Sequence, residues 1–158
     1  MRSEIRFLLN GKAQHVSGVA GDVTLLKWLR GQPHLCGTKQ GCAEGDCGAC
    51  TVTMARPDAM GRLEYRPVNS CVLFLGMIDG SAIRTVEGLA SPDGKLHPVQ
   101  SAMVDADASQ CGFCTPGFVM SLYAAWQNGH GLSANEVDTT LAGNLCRCTG
   151  YRPIVDAA

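Results

Sequence analysis

Apolar and polar residues alternate along the first part of the chain, across residues 1–10. This period of two is typical of a β-strand with one buried face. Asn10 and Gly11 then favour a type I′ turn, and a second short strand pattern follows at residues 13–16. The sequence therefore predicts that the chain begins with a β-hairpin.

A change of period after the hairpin indicates a helix. Asp22 or Thr24 provides a side-chain cap for its first turn, and Gly31 with Pro33 is expected to end it. The apolar residues between these limits lie near helical spacing: Val23, Leu26, Trp28 and Leu29. Strand, strand and helix is the predicted order.

Apolar periodicity is lost between residues 34 and 50, where glycine recurs every three or four residues. These glycines predict a loop with an unusually permissive backbone. Strand patterns return beyond it at residues 51–54, 63–65 and 83–86. The first half is therefore expected to be a mixed sheet packed with one helix.

The second half has a different pattern. Residues 91–95 are a charged, turn-rich break, and the apolar residues beyond them follow helical spacing. Four helices are predicted, and their starts are marked by Pro98, by Thr115 with Pro116, by Ser133 with Glu136, and by the run Tyr151, Arg152 and Pro153. We predict an α+β chain of two domains, residues 1–90 and residues 91–158, the second all-helical and cut off inside its last helix.

The charge balance excludes one class of partner. Thirteen basic and fourteen acidic residues give a net charge of −1, so the chain has no electrostatic footprint for nucleic acid or an anionic membrane.

The longest apolar stretches, residues 72–78 and 118–126, fall well short of the roughly 20 residues that a membrane span requires. The first ten residues lack the apolar run and cleavage site of a signal peptide, so a cytoplasmic protein is expected.

Nine cysteines are unusual for a chain of this size. In a reducing compartment such a set more often binds metal than forms disulfides. If the chain were exported, eight of the nine would be able to pair into four disulfides, which is the structural alternative.

The histidines give no sign of a catalytic site. They lie apart from one another in the sequence and beside no paired nucleophile: His15, His34, His97 and His130. Each is interpreted as a surface or capping residue, so no catalytic residue is predicted in this chain.

Three cysteines of the glycine-rich loop follow a C-x4-C-x2-C spacing: Cys42, Cys47 and Cys50. With Cys71 as a distant fourth thiolate, this is the plant-type [2Fe–2S] ligand pattern. Glycine lets the backbone pass close to a cluster and turn its N–H groups toward sulfur, and Gly41, Gly45 and Gly48 bracket these ligands. A structural zinc site is the alternative, although zinc usually gathers two C-x2-C pairs. Cys36 falls outside the spacing and is interpreted as a non-ligand.

Two cysteine pairs in the helical half supply a second set of four thiolates, Cys111 with Cys114 and Cys146 with Cys148. Side chains two residues apart diverge by about 200° on a helix, so the segment around the second pair must form a turn. The helix that starts near Pro116 is expected to direct its N-terminal amides at the first pair, where they favour thiolates and an anionic cluster. Zinc is a stronger alternative here, because one C-x2-C pair is present.

Three runs of sequence carry a family resemblance: GCAEGDCGACTV at residues 41–52, QCGFCTPGF at 110–118 and GNLCRCTGYRP at 143–153. Together they resemble the iron–sulfur portion of the molybdenum hydroxylases, the family of xanthine dehydrogenase and aldehyde oxidase. The resemblance covers essentially the whole chain. It implies a ferredoxin-like β-grasp domain followed by an all-α helical-bundle domain, and each domain would hold one [2Fe–2S] cluster.

Within the family the chain most resembles the small subunit of bacterial xanthine dehydrogenase, through residues 91–100 and the long segment between Cys50 and Cys71. Such dehydrogenases carry a flavin domain after the iron–sulfur part. The resemblance therefore implies either a fragment or a subunit that works beside a separate FAD-binding chain and a molybdopterin-binding large subunit.

The resemblance also implies a direction of electron flow. The cysteine set of the helical half would lie nearest the molybdopterin of the partner, and the set of the glycine-rich loop nearer the FAD. Gln110 and Cys148 match positions that approach the pterin in relatives. The chain would then be an electron-transfer component of a xanthine dehydrogenase-like oxidoreductase, without a substrate site of its own. The alternatives are a hydroxylase of aldehydes, carbon monoxide or N-heterocycles, a zinc-stabilised structural module, and a freely diffusing ferredoxin-like shuttle.

Overall fold

The computed structural model describes residues 4–129 and 132–158. The predicted hairpin forms, with β1 (Glu4–Leu9) antiparallel to β2 (Lys12–Ser17). Asn10 and Gly11 join these strands with φ values of 50° and 81°, the left-handed geometry that a type I′ turn requires. The strand predicted over residues 1–10 is thus observed from Glu4, and its first three residues lie outside the described part of the chain.

Three further strands complete one five-stranded sheet: β3 (Thr51–Pro57), β4 (Leu63–Asn69) and β5 (Ala82–Arg84). The order across the sheet is β2-β1-β5-β3-β4. β1 runs parallel to β5, and the other neighbouring strands are antiparallel. The mixed sheet predicted from the strand patterns is therefore confirmed.

Strand lengths differ from those that the sequence predicts. β3 and β4 extend beyond residues 51–54 and 63–65, because their cross-strand pairing continues as far as Pro57 and Leu63. β5 ends before the predicted limit, because a 3₁₀ turn begins at Val86 and carries the chain away from the sheet.

A short helix, α1 (Leu25–Arg30), covers one face of the sheet with Leu25 and Leu29, both of them fully buried. They pack with apolar side chains of the strands and of the segment before β5: Phe7, Leu9, Val52, Leu75, Ile78 and Ile83. This cluster anchors the start of β3, which follows directly on the cysteine-containing loop.

Thr24, rather than Asp22, caps α1, because its side-chain oxygen accepts the backbone N–H of Lys27 at 3.3 Å. Replacing Thr24 with Ala is expected to lower the free energy of unfolding by about 1 kcal/mol, since this N–H loses its partner. Asp22→Ala changes an exposed residue and is the matched control, with an expected change within about 0.5 kcal/mol. Denaturant unfolding measures both, and equal losses would contradict the assignment of the cap.

Helices make up the second half in the predicted order: α2 (Pro98–Asp105), α3 (Thr115–Gln127), α4 (Ala134–Leu141) and α5 (Arg152–Asp156). Pro98 opens α2 as predicted, and Ser133 with Glu136 forms the predicted capping box of α4. α3 differs by one residue, because Cys114 is its N-cap and Thr115 its first helical residue.

Two of the histidines have the structural roles that were expected. His97 caps α2 by accepting the backbone N–H of Val99 at 3.3 Å. His15 lies on the exposed hairpin, 3.4 Å from the Glu4 carboxylate. His130 lies outside the described residues.

α3 is the central helix, and its residues 117–125 are all buried. On one side it packs against β3 and β4, where the Thr53 hydroxyl donates to the carbonyl of Met120 at 2.9 Å. Near its end, the Asn128 side chain accepts the Tyr65 N–H and donates to the Tyr65 carbonyl, at 3.0 and 2.7 Å. On the other side α3 packs with α2 and α4. α3 therefore packs between the sheet and the neighbouring helices α2 and α4.

The arrangement of a mixed sheet with helices confirms the α+β fold class. Within residues 4–129 and 132–158, no helix has both the length and the apolar character that crossing a bilayer demands. The fold places one cysteine-containing loop directly before β3. A second group of cysteines lies before the start of α3 and in the segment between α4 and α5.

Candidate metal centres

The loop between α1 and β3 turns several backbone N–H groups onto one sulfur atom. Cys42 Sγ accepts the N–H groups of Glu44, Asp46 and Cys47, at 3.5, 3.4 and 3.3 Å. These bonds, that of Glu44 first, lower the pKa of the Cys42 thiol to about 7. Since a metal is ligated by the thiolate, the loop favours the ligating form of Cys42.

Left-handed backbone geometry makes this convergence possible. Ala43, Gly45 and Gly48 have φ values of 61°, 85° and 70°, and such residues turn successive N–H groups to the inside of a loop. The Cys42 N–H in turn donates to Cys47 Sγ at 3.4 Å. Cys42 and Cys47 are therefore paired by reciprocal hydrogen bonds, each N–H donating to the sulfur of the other residue.

The second pair of this site is buried. Cys50 and Cys71 pack together with Leu26 in one buried cluster. Burial raises the pKa of Cys50 to about 11. Ser70 fixes the approach of the two segments, because its N–H and its hydroxyl both donate to the Cys50 carbonyl, at 3.3 and 2.7 Å. The four candidate ligands of the first half are thus an outer pair on the loop and an inner pair in the core.

The helical half also contains an outer pair. The sulfur atoms of Cys111 and Cys148 lie 3.5 Å apart, and both residues are exposed. The backbone N–H of Phe113 and then the Cys148 thiol lower the pKa of Cys111, whereas the bond to Cys111 raises the pKa of Cys148. Gln110, next to this pair, is exposed as well. This site is therefore open to the surface on the side of Gln110.

The inner pair of the helical half lies at the start of α3. Cys146 belongs to the buried apolar cluster against which Cys114 packs, and burial raises the pKa of Cys114 to about 12. Burial also acts to raise the pKa of Cys146, but hydrogen bonds from the hydroxyl and N–H of Thr149 outweigh it and lower this pKa to about 7. As predicted, α3 begins immediately after Cys114 and the segment 146–148 is not helical, so the positive end of the helix lies at this pair.

The eight cysteines singled out from the sequence thus come together as four pairs, two in each half of the molecule. In the described residues, no group of three or more His, Cys, Asp or Glu side chains converges as a single metal ion would require. A [2Fe–2S] cluster is held by four thiolates spread over two iron atoms, so a set of two pairs fits it. Cys36 is exposed and belongs to neither set.

The two sites are neighbours, which no sequence pattern had predicted. The Leu145 N–H donates to the Cys47 carbonyl at 3.0 Å, and the Asn144 side-chain amide donates to the Gly48 carbonyl at 3.0 Å. A Cβ added to Gly117 of α3 would overlap the same Gly48 carbonyl oxygen. Asn144 is the residue that the sequence analysis missed, and its place within the run 143–153 was its only sign.

Two family models match the chain. The family described as "2Fe-2S iron-sulfur cluster binding domain" matches residues 7–75, and the family described as "[2Fe-2S] binding domain" matches residues 85–158. The xanthine dehydrogenase of Drosophila pseudoobscura pseudoobscura is 46% identical over 155 residues, and the aldehyde oxidase of Homo sapiens is 43% identical over 156 residues. Each alignment covers 98% of this chain, and the chain spans only 12% of the length of either relative.

Solved structures add a relative of similar size. A chain of quinoline 2-oxidoreductase from Pseudomonas putida 86 is 36% identical with a TM-score of 0.81, and the match covers 98% of this chain and 88% of that chain. The aldehyde oxidoreductase of Desulfovibrio gigas is 37% identical with a TM-score of 0.84, over 98% of this chain and 16% of that chain. The similarity therefore extends over sequence and fold together.

Proposed function

This chain belongs to the xanthine dehydrogenase and aldehyde oxidase family as its iron–sulfur portion, and we propose that it relays electrons through two [2Fe–2S] clusters from a molybdenum–pterin site to FAD. The observation that carries the proposal is the grouping of eight cysteines into four adjacent pairs. Bound clusters would supply one-electron redox chemistry, and the chain itself would hold them, tune them and exclude water.

We assign one cluster to the loop set, Cys42, Cys47, Cys50 and Cys71, and the other to the helical set, Cys111, Cys114, Cys146 and Cys148. In each set, the two members of a pair would ligate the same iron atom, because each pair already lies close together. Backbone N–H groups around Cys42 and the N-terminus of α3 would compensate the negative charge of thiolates and sulfides.

The domain organisation proposed for this function is a ferredoxin-like β-grasp domain over residues 1–90 and an all-α helical-bundle domain over residues 91–158. The sheet topology and the succession of helices support it. The loop set would lie in the first domain and the helical set in the second, so each domain would hold one redox site.

The exposure of the helical set supports the proposed direction of electron flow. Cys111, Cys148 and Gln110 are all exposed, so a molybdopterin-binding partner would be able to approach the helical set closely. Gln110 and Cys148 would then face the pterin. The loop set would pass electrons on to an FAD-binding domain or subunit, in a cytoplasmic enzyme that resembles bacterial xanthine dehydrogenase. In this proposal the chain has no substrate site of its own.

A second candidate is the iron–sulfur chain of another molybdenum hydroxylase, one that oxidises an aldehyde, carbon monoxide or an N-heterocycle. The match to a chain of quinoline 2-oxidoreductase, over 88% of that chain, favours an N-heterocycle among these. The substrate is selected by the molybdenum-bearing chain in either case, so both candidates give this chain the same electron-transfer role.

Metal and sulfide analysis tests the proposal. We expect about four iron atoms and about four acid-labile sulfides per chain, two of each from every cluster, together with visible absorption that bleaches on reduction with dithionite. A colourless protein that contains zinc and lacks labile sulfide would instead support the zinc-stabilised structural module and overturn the electron-transfer proposal.

A further inference from the structure

A threonine side chain lies against one sulfur atom of the helical set. Thr149 Oγ1 is 3.2 Å from Cys146 Sγ, and the Thr149 backbone N–H donates to the same sulfur at 3.5 Å. Thr149 is half-buried, and Cys146 is only 9% exposed. Within residues 4–129 and 132–158, Thr149 is the one residue whose side-chain hydroxyl lies within hydrogen-bond distance of a cysteine sulfur. This contact sets Cys146 apart from the other candidate ligands.

The direction of this hydrogen bond follows from the neighbouring backbone. Tyr151 donates its N–H to Thr149 Oγ1 at 3.2 Å, so one lone pair of that oxygen is already engaged. A cysteine that ligates a metal is a thiolate and has no proton to donate. In the ligated site the Thr149 hydroxyl is therefore the donor and Cys146 Sγ the acceptor. The bond is strengthened because its acceptor is ionised.

Tyr151 holds this arrangement in a backbone conformation that residues other than glycine rarely adopt. Its φ is 69°, in the left-handed region, which is unfavourable for a bulky side chain. Besides its N–H bond to Thr149, its hydroxyl accepts the Cys146 N–H at 3.0 Å. Its ring also packs edge-on against Phe118, with the ring centroids 6.3 Å apart. Because two of these three contacts reach Thr149 and Cys146, the strained residue fixes the position of that pair.

A hydrogen bond to a ligand sulfur changes the balance between two oxidation states of a cluster. Reduction adds one negative charge to the cluster and its thiolates, so a donor at a thiolate stabilises the reduced form more than the oxidised form. Thr149 supplies two such donors, its hydroxyl and its N–H, to the inner pair of the helical set. Removing the hydroxyl alone would leave the ligand in place and weaken only the reduced form.

We propose that the Thr149 hydroxyl raises the reduction potential of the helical site through its hydrogen bond to Cys146. The inference rests on the proposed function, because it presumes a [2Fe–2S] cluster at the helical set. One electron enters this site from the molybdenum–pterin partner, which is oxidised, and later leaves for the loop set. The hydroxyl proton stays on Thr149, and no covalent bond forms or breaks.

Thr115 offers a matched comparison within the same site. It follows Cys114 directly at the start of α3, and its hydroxyl lies 2.8 Å from Ser109 Oγ, its hydrogen-bond partner. Thr115 and Thr149 are both half-buried. Valine in place of either threonine keeps the shape of the side chain and removes one hydroxyl. The two substitutions therefore differ in whether a ligand sulfur loses a donor.

The test is a redox titration of the holoprotein followed by electron paramagnetic resonance, with the helical signal identified as the one that Cys148→Ser abolishes. We expect Thr149→Val to lower the ratio of reduced to oxidised helical site about tenfold at a fixed potential, a shift of about 59 mV for a one-electron couple. Thr149→Ser, which keeps a hydroxyl, is expected to restore most of the potential, and Thr115→Val to leave it unchanged. Thr149→Ala replaces the valine variant if that protein does not accumulate.

Two outcomes overturn the inference and leave the proposed function standing. One is an unchanged potential of the helical site in Thr149→Val, and the other is an equal fall in Thr115→Val, which would make the effect one of general loosening. A single signal in the unmodified holoprotein has a different meaning. It would overturn the proposal of two clusters itself, and the inference with it.

Discussion

Replacing Cys148 with Ser is expected to abolish one of two distinct paramagnetic signals of the reduced protein and to leave the other. Cys148 lies 3.5 Å from Cys111 in the outer pair of the helical set, so the substitution removes one of the two sulfur atoms proposed to hold one iron. The loop set takes no ligand from the helical half, and its inner pair is buried beside Leu26. Electron paramagnetic resonance measures the loss of the signal. The variant is also expected to contain about half of the iron of the unmodified protein.

Cys36→Ser is the matched control for this experiment. Cys36, like Cys148, is exposed, but it lies outside the ligand spacing, so both signals and the full iron content are expected to remain. Loss of both signals from Cys148→Ser, with the fold intact, would contradict the division of the ligands into two independent sets. Loss of a signal from Cys36→Ser would show that the ligand assignment of the loop set is wrong.

Gly48→Ala is expected to be strongly destabilising, by about 3 kcal/mol of unfolding free energy, from two causes that add. Gly48 has a φ of 70°, where a side chain costs about 1–2 kcal/mol. The new methyl group would also overlap the Gly143 carbonyl oxygen, and overpacking typically costs about 1–3 kcal/mol. Since the overlapping oxygen belongs to the backbone, rotation of a side chain cannot relieve the overlap. Denaturant unfolding of the holoprotein measures the loss.

Gly143→Ala is the control on the other side of the same contact. A Cβ at Gly143 meets nothing within 4 Å, so its expected effect lies within about 0.5 kcal/mol. Similar small effects from both substitutions would contradict the close approach of the two cysteine-containing segments.

Much of the fold followed from local pattern. Asn10 and Gly11 specified a turn whose twist suits a hairpin, and Ser133 with Glu136 specified a helix start, because these preferences are satisfied by a few neighbouring residues. The limits of the strands did not follow. β3 runs on to Pro57 because β4 lies beside it, and a contact between distant segments has no counterpart in local periodicity.

The candidate sites were likewise predicted from local spacing in part only. The spacing of Cys42, Cys47 and Cys50 predicted a shared loop, because a short glycine-rich segment has few ways to place three thiols around one object. Family resemblance was needed for the second set, since C-x2-C is also a zinc pattern. Which cysteines are paired within each set became visible only from the distances between atoms, as with Cys111 and Cys148 at 3.5 Å.

The sequence by itself determined the chemistry of this protein, namely which thiols are available, which backbone can wrap around them and where helices begin and end. Those properties depend on residue type and short-range spacing. Only the tertiary structure decided that the two cysteine sites touch, with Leu145 bonded to Cys47 and Asn144 buried between them. This contact joins residues almost a hundred positions apart, and it exists because α3 packs on β3 and brings both segments to the same end of the helix.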